Sequence, residues 1–155
     1  MKKKDTEFMK IAYEEALLAM NKGEVPVGAV IVKNDKIIGK GHNMVETLND
    51  ATAHAEIIAI TAASRNLNNW RLDGSTLYVT LEPCIMCAGA IILSRISKVV
   101  YGAKDESFGA LGSLFDITKF NIGKKVVVSS GVMEKESADL LKQFFKKRRR
   151  DGRAD

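Results

Sequence analysis

Apolar residues recur along this chain with two periods, and the switches between them mark out the elements. Phe8, Ala12, Ala16 and Ala19, joined by Met9, Tyr13 and Met20, fall on one face at helical spacing. They predict a helix from about residue 6 to residue 21, with Asp5 or Thr6 able to cap its start and Gly23 able to end it. The run Val27-Gly28-Ala29-Val30-Ile31-Val32 reads as a buried strand. Lys33-Asn34-Asp35-Lys36 supplies a turn, and Ile37-Ile38-Gly39-Lys40-Gly41 returns as the second arm of a hairpin.

Residues 43–50 are polar and turn-forming and read as a loop. Helical spacing resumes over about 53–65, with Ala55, Ile58, Ala59 and Ala62 on one side. After a turn-rich stretch around Trp70, residues 75–81 read as a strand. Pro83 then stands where a helix can start, because its missing N–H costs nothing there. That helix runs to about Ser94, and Lys98 to Tyr101 is a further strand. Strand, helix and strand in this order predict a crossover between parallel neighbours. A loop over 102–112, a short helix near Leu114 to Thr118 and a last strand at Lys125 to Ser129 follow. The chain ends in a helix from about 134, with Ala138, Leu141 and Phe145 on one stripe and Leu140 and Phe144 beside it. No internal repeat or linker interrupts this order, so residues 1–155 read as one domain, a mixed sheet sandwiched between helices.

Composition adds one asymmetry. Of the residues, 46% are hydrophobic and 28% charged, ordinary for a globular domain. The net charge is +5, and the run from Lys146 to Arg150 carries five cations by itself. The basic character therefore sits at the chain's end, over 146–155, and the remainder is balanced. Such a cluster fits a phosphate-rich partner or, equally, a solvated terminus. No apolar run approaches the ~20 residues that cross a bilayer. Asp5, Thr6 and Glu7 follow the first lysines where a signal peptide would be apolar. The expectation is a cytoplasmic protein without a membrane partner, its two cysteines reduced.

Those cysteines carry the clearest chemistry. Pro83-Cys84-Ile85-Met86-Cys87 places two sulfurs in the first turn of a helix, where free N–H groups and the helix dipole favour thiolates. Taken alone, the motif also suits a redox dithiol or two core cysteines. The segment His54-Ala55-Glu56 changes the balance. A lone histidine is more often structural than a ligand, but here it stands two residues before a glutamate. Mid-helix, such positions diverge by roughly 200°; at a helix start both can flank one object near the axis. Cys84, Cys87 and His54 then make three zinc ligands, where structural sites usually have four. The open position implies a bound water. Glu56 fits as the base that takes a proton from it and passes protons on.

The paired motif, with Gly23-Glu24-Val25-Pro26-Val27-Gly28-Ala29, Gly41-His42-Asn43, Trp70-Arg71-Leu72 and Tyr101-Gly102-Ala103-Lys104-Asp105, resembles the cytidine-deaminase-like superfamily. Within it the chain is similar to the bacterial tRNA-specific adenosine deaminases along nearly its whole length. The resemblance implies an α/β fold: a three-layer α/β/α sandwich with a five-stranded mixed sheet. It also implies a homodimer with one zinc ion per subunit. The implied activity is hydrolytic conversion of the wobble adenosine to inosine in a tRNA anticodon stem-loop, usually that of an arginine tRNA. It further implies that Asn43 bonds the flipped base, that Pro26, Val27 and Ala55 line its pocket, that the Asp105 loop touches neighbouring nucleotides and that Arg149 faces phosphate.

Glu106, Ser107 and Phe108 depart from the basic and small residues expected after that aspartate. Phe108 is suited to stacking on an unpaired base or to packing against a partner subunit. Two rivals remain: a deaminase of free guanine or cytosine, and a non-catalytic RNA-binding module with a structural zinc. The basic end, the Asp105 loop and the Trp70-Arg71-Leu72 segment favour RNA over a free base. Glu56 and the lack of a fourth ligand speak against the module.

Overall fold

The computed structural model describes residues 2–123 and 125–152, so residues 153–155 of the basic end lie outside the described residues. Five strands form one mixed sheet: β1 (Gly28–Lys33), β2 (Lys36–His42), β3 (Thr76–Leu81), β4 (Lys98–Ala103) and β5 (Val127–Ser130), in the order β2-β1-β3-β4-β5. β1 runs antiparallel to both its neighbours, while β3, β4 and β5 are parallel. The expected hairpin closes through Asn34 and Asp35, both at positive φ (51° and 61°), the tight-turn geometry whose twist matches paired strands.

Strand alternation creates two cores. Ala29, Ile31, Leu77, Val79, Val99 and Tyr101 face one side, against Ala55, Ala59 and Ala63 of α3 (Ala55–Leu67) and Ile91 and Ile92 of α4 (Ile85–Leu93). Val30, Val32, Tyr78 and Val100 face the other, against Met9 and Ala12 of α1 (Lys2–Asn21). α3 lies close on β2 because β2 carries glycines there: a Cβ on Gly41 would stand 2.5 Å from the Ala55 carbonyl oxygen. The final helix, α5 (Glu134–Arg150), starts beside Gly102 of β4, on the α1 side. This is the three-layer sandwich the sequence predicts.

Five local expectations change. α1 begins before Asp5, which does not cap it but accepts the Tyr78 hydroxyl at 2.8 Å. Residues 43–50, expected as a loop, contain a single helical turn, α2 (Val45–Leu48). The expected helix at 114–118 is a 3-10 turn at Ile117–Lys119, because Leu111 N and Ser113 N are tied to the Glu82 carboxylate. Pro83 stands before the cap of α4, which is Cys84. In α5 the buried stripe is Ser137, Leu140 and Phe144, one position earlier than the stripe of Ala138, Leu141 and Phe145.

Candidate active site

The sheet register gathers the functional residues at one edge. Gly28 at the start of β1 pairs with His42 at the end of β2, Ala29 pairs with Val79 near the end of β3, and Leu81 pairs with Ala103 at the end of β4. Val27, Asn43, the Glu82–Cys87 segment and Asp105 therefore leave the sheet side by side. Open α/β sheets bind ligands at the carboxyl ends of their parallel strands, and a cavity of about 440 Å³ opens there. That size suits a single small ring system and its immediate neighbours.

Two helix starts make its floor. His54 caps α3 and Cys84 caps α4, both with extended backbone, and Cys87 is in the first turn of α4. The His54 Nδ1 atom stands 3.6 Å from Cys84 Sγ and 3.5 Å from Cys87 Sγ. Nitrogen and sulfur held by one tetrahedral zinc at about 2.0 and 2.3 Å are roughly 3.5 Å apart. The donor set and its spacing therefore fit zinc, and the three ligand atoms form the His/Cys/Cys group capable of holding a metal among the described residues.

The charge pattern is that of a metal and proton site. The Cys84 thiol is drawn down to about 4 by the hydrogen bond from Cys87, with His54 assisting against burial. His54 is raised, first by its bond to Cys84. Glu56, in the first turn of α3, is buried, and burial pushes its carboxyl up to about 7. A carboxyl poised there can take and return a proton near neutrality.

The walls are two loops, each tied to a buried carboxylate that sequence reasoning assigned no role. Glu24 accepts from Glu46 N at 3.1 Å and from both Thr47 N and Oγ1 at 2.6 Å, which fastens the α2 wall. Burial works to raise its carboxyl, but these bonds outweigh it and hold the group below its ordinary value. Glu82 accepts from Asp105 N at 3.2 Å, Leu111 N at 3.0 Å, Ser113 N at 3.1 Å and the Ser113 hydroxyl, which fastens the other wall. Gly109 belongs to this arrangement, since any Cβ there would collide with Glu82 and the Asp105 carbonyl. An acidic residue set directly against an apolar run, as in Glu24-Val25-Pro26-Val27 or Leu81-Glu82-Pro83, is the signal that marks both.

Of the residues expected at the site, His54, Ala55, Glu56, Cys84, Val27, Asn43, Asp105 and Phe108 line this cavity. Asn43 also braces its own turn: Nδ2 donates to the Val25 carbonyl at 3.4 Å, and Oδ1 accepts from Val45 N at 3.3 Å. Both bonds are long, so the amide keeps capacity for a ligand. Asp105 likewise accepts from Ser107 N and Phe108 N at 3.1 Å. Cys87 is buried and does not line the cavity, though its sulfur lies 3.5 Å from His54 Nδ1. Two other residues are elsewhere. Pro26 is buried and does not line the cavity, whose wall there is Val25 and Val27. Arg149 lies in a separate shallow depression with Leu141, Lys142 and Phe145, while its neighbour Arg148 lines the cavity. Trp70 and Arg71 follow α3, next to the start of β3, at the sheet edge opposite the cavity.

A sheet of this order, with a His/Cys/Cys group on two helix starts and a buried glutamate beside it, defines a zinc-dependent deaminase of nucleobases. Residues 2–103 match the family described as the cytidine and deoxycytidylate deaminase zinc-binding region, and the chain belongs to that family. It is 48% identical over 153 residues to the tRNA-specific adenosine deaminase of Bacillus subtilis (strain 168), covering 97% of this chain and 94% of that one. A solved structure from work on A-to-I editing by tRNA:A34 deaminases at the wobble position superposes with a TM-score of 0.81 at 43% identity, covering 87% of this chain and 99% of that one. The guanine deaminase of Bacillus subtilis matches with a TM-score of 0.61 at 46% identity, over 63% of each chain.

Proposed function

We propose that this chain hydrolyses the exocyclic amine of the wobble adenosine in a tRNA anticodon loop, releasing ammonia and leaving inosine. The observation that carries the reading is Glu56, a buried carboxyl beside the His54, Cys84 and Cys87 donors on the floor of a base-sized cavity. Relatives matched along nearly their whole length carry the name tRNA-specific adenosine deaminase or come from work on tRNA:A34 deaminases.

His54 Nδ1, Cys84 Sγ and Cys87 Sγ would hold a zinc ion, which would supply the Lewis acidity that makes water a nucleophile near neutral pH. Glu56 takes a proton from the attacking water and delivers it to the ring nitrogen of the adenine, then takes the remaining proton from the new C6 hydroxyl and passes it to the amine, which leaves as ammonia. The flipped adenine is bounded by Val27 and Ala55, and Asn43 offers it an amide. Phe108, 68% exposed at the mouth, offers a stacking surface to an unpaired neighbour. Asp105 shapes the loop that presents Phe108.

The enzyme works as a homodimer in the cytoplasm, where tRNA is found and thiols stay reduced. Ile85 and Leu93, eight residues apart on α4, leave large apolar side chains in solvent, with Phe120 and Ile122 exposed further along the chain. Leu93→Glu is expected to shift the protein to monomer in light-scattering measurements. No helix among the described residues is long and apolar enough to cross a membrane.

The rival reading is a free-base deaminase, supported by the match to guanine deaminase. Mass analysis of an anticodon stem-loop incubated with the zinc-loaded protein separates the two. Inosine at the wobble position with little turnover of free guanine supports the RNA reading; the reverse pattern overturns it.

A further inference from the structure

A largely buried polar contact joins α1 to the residue just before Asn43. Gly28 lets α1 rest directly on the sheet: a Cβ there would collide with the Ala12 carbonyl oxygen and stand 2.8 Å from Glu15 Cβ. Gly28 pairs with His42 across β1 and β2, so Glu15 comes beside the last residue of β2. His42 Nδ1 lies 3.1 Å from Glu15 Oε1, and each side chain is 12% exposed. Lys22, just beyond α1, places Nζ 3.3 Å from His42 Nε2. An ammonium donates and cannot accept, so Nε2 accepts from Lys22 and the Nδ1–H donates to Glu15. Both ring nitrogens are engaged, and the imidazole is fixed in tautomer and orientation.

This contact stands where the cavity wall needs a support. β2 is an edge strand, so its end has a strand neighbour on one side only. Successive side chains point to opposite faces: His42 turns to α1, and Asn43 turns to the cavity. The Asn43 backbone N–H donates to the Val27 carbonyl at 3.1 Å. Its side-chain bonds, at 3.4 and 3.3 Å, exceed the usual N–H···O range and hold the amide weakly. One of them ends on Val25, in the segment that leaves α1 through Lys22, so that segment supplies partners to both His42 and Asn43. We propose that His42 is a positioning residue: bonded to Glu15 and Lys22, it fixes the end of β2 and thereby aims the Asn43 amide at the base. This rests on the reading of Asn43 as a base contact.

The test follows the zinc-loaded protein on an anticodon stem-loop. His42→Ala is expected to raise KM about tenfold and to change kcat less than about twofold, because a misaimed amide forfeits roughly one hydrogen bond to the bound base. His42→Asn still offers Glu15 a donor close to where Nδ1 stood, and its KM should return to within about threefold of wild type. Glu15→Ala should match His42→Ala, whereas Glu15→Gln keeps an acceptor oxygen and should behave like His42→Asn. In Asn43→Ala, which has no amide to aim, neither alanine substitution raises KM further. The Asn43 side-chain amide signals in nitrogen-correlated NMR spectra, identified by their loss in Asn43→Ala, should shift in His42→Ala and return in His42→Asn. A His42→Ala enzyme with the wild-type KM would overturn the proposal, as would a loss that adds in full to that of Asn43→Ala. Glu15→Ala decides the matter by the same criteria where His42→Ala is unstable. An Asn43→Ala enzyme with the wild-type KM would instead defeat the base-contact reading itself.

Discussion

The floor and the rim of the cavity are built on different terms. On the floor, His54, Glu56, Cys84 and Cys87 are fixed by the starts of two helices packed on the sheet, and the backbone alone brings them together. On the rim, Asn43 and Asp105 already brace their own turns, and those loops keep their shape only through Glu24 and Glu82. A floor residue therefore does chemistry alone, while a rim residue combines holding a loop with meeting a ligand. Substitutions on the floor should leave stability nearly intact and abolish the reaction. Substitutions at the rim anchors should cost stability and affinity together.

The largest effect is expected from Cys87→Ala. With two donors left of three, zinc content should fall from one ion per chain to a small fraction, and deamination should be lost with it; metal analysis of the purified variant checks this. Retention of a full complement of zinc would break the three-ligand account of the floor.

Next is Glu82→Ala. It leaves three backbone donors and the Ser113 hydroxyl without their acceptor. The expected loss is roughly 3 kcal/mol in denaturant unfolding, with a raised KM because the Asp105–Phe108 segment loosens. A variant with normal stability and a normal KM would remove Glu82 from the account of the rim.

Glu24→Gln sharpens the comparison through pH. The folded-state value of Glu24 lies below its ordinary 4.5, because the bonds from Thr47 and Glu46, with the charge of His42, outweigh burial. A depressed carboxyl gives stability that is complete above the ordinary value and lost as pH falls through the depressed one. The wild type should exceed Glu24→Gln by roughly 1–2 kcal/mol at neutral pH, and the two unfolding curves should converge on acidification. A difference that is constant with pH would mean that ionisation of Glu24 does not hold the α2 wall.

The same division explains what the sequence disclosed. The floor was legible because Cys-x-x-Cys and His-x-Glu are short-range patterns at helix starts, and a helix start aims its residues in a known direction. Strand β1 was legible because the unbroken apolar run Val27-Gly28-Ala29-Val30-Ile31-Val32 marks a strand buried on both faces. The rim was less legible because its order is tertiary. Nothing local in residues 43–50 favours a helical turn, and α2 exists because Glu24, over twenty residues earlier, accepts its N–H groups. Arg149 is expected from the resemblance alone, whereas the inner stripe of α5 runs through the buried Ser137, Leu140 and Phe144 and leads to Arg148. A polar residue at the first position of that stripe makes its phase hard to read locally.

The most direct measurement is of Glu56→Ala, scored for zinc content and for inosine in the anticodon stem-loop on the same preparation. The account predicts a full complement of zinc and a fall in deamination of about 10²–10⁴-fold. An enzyme that still makes inosine at the wild-type rate would show that the protons move by another route.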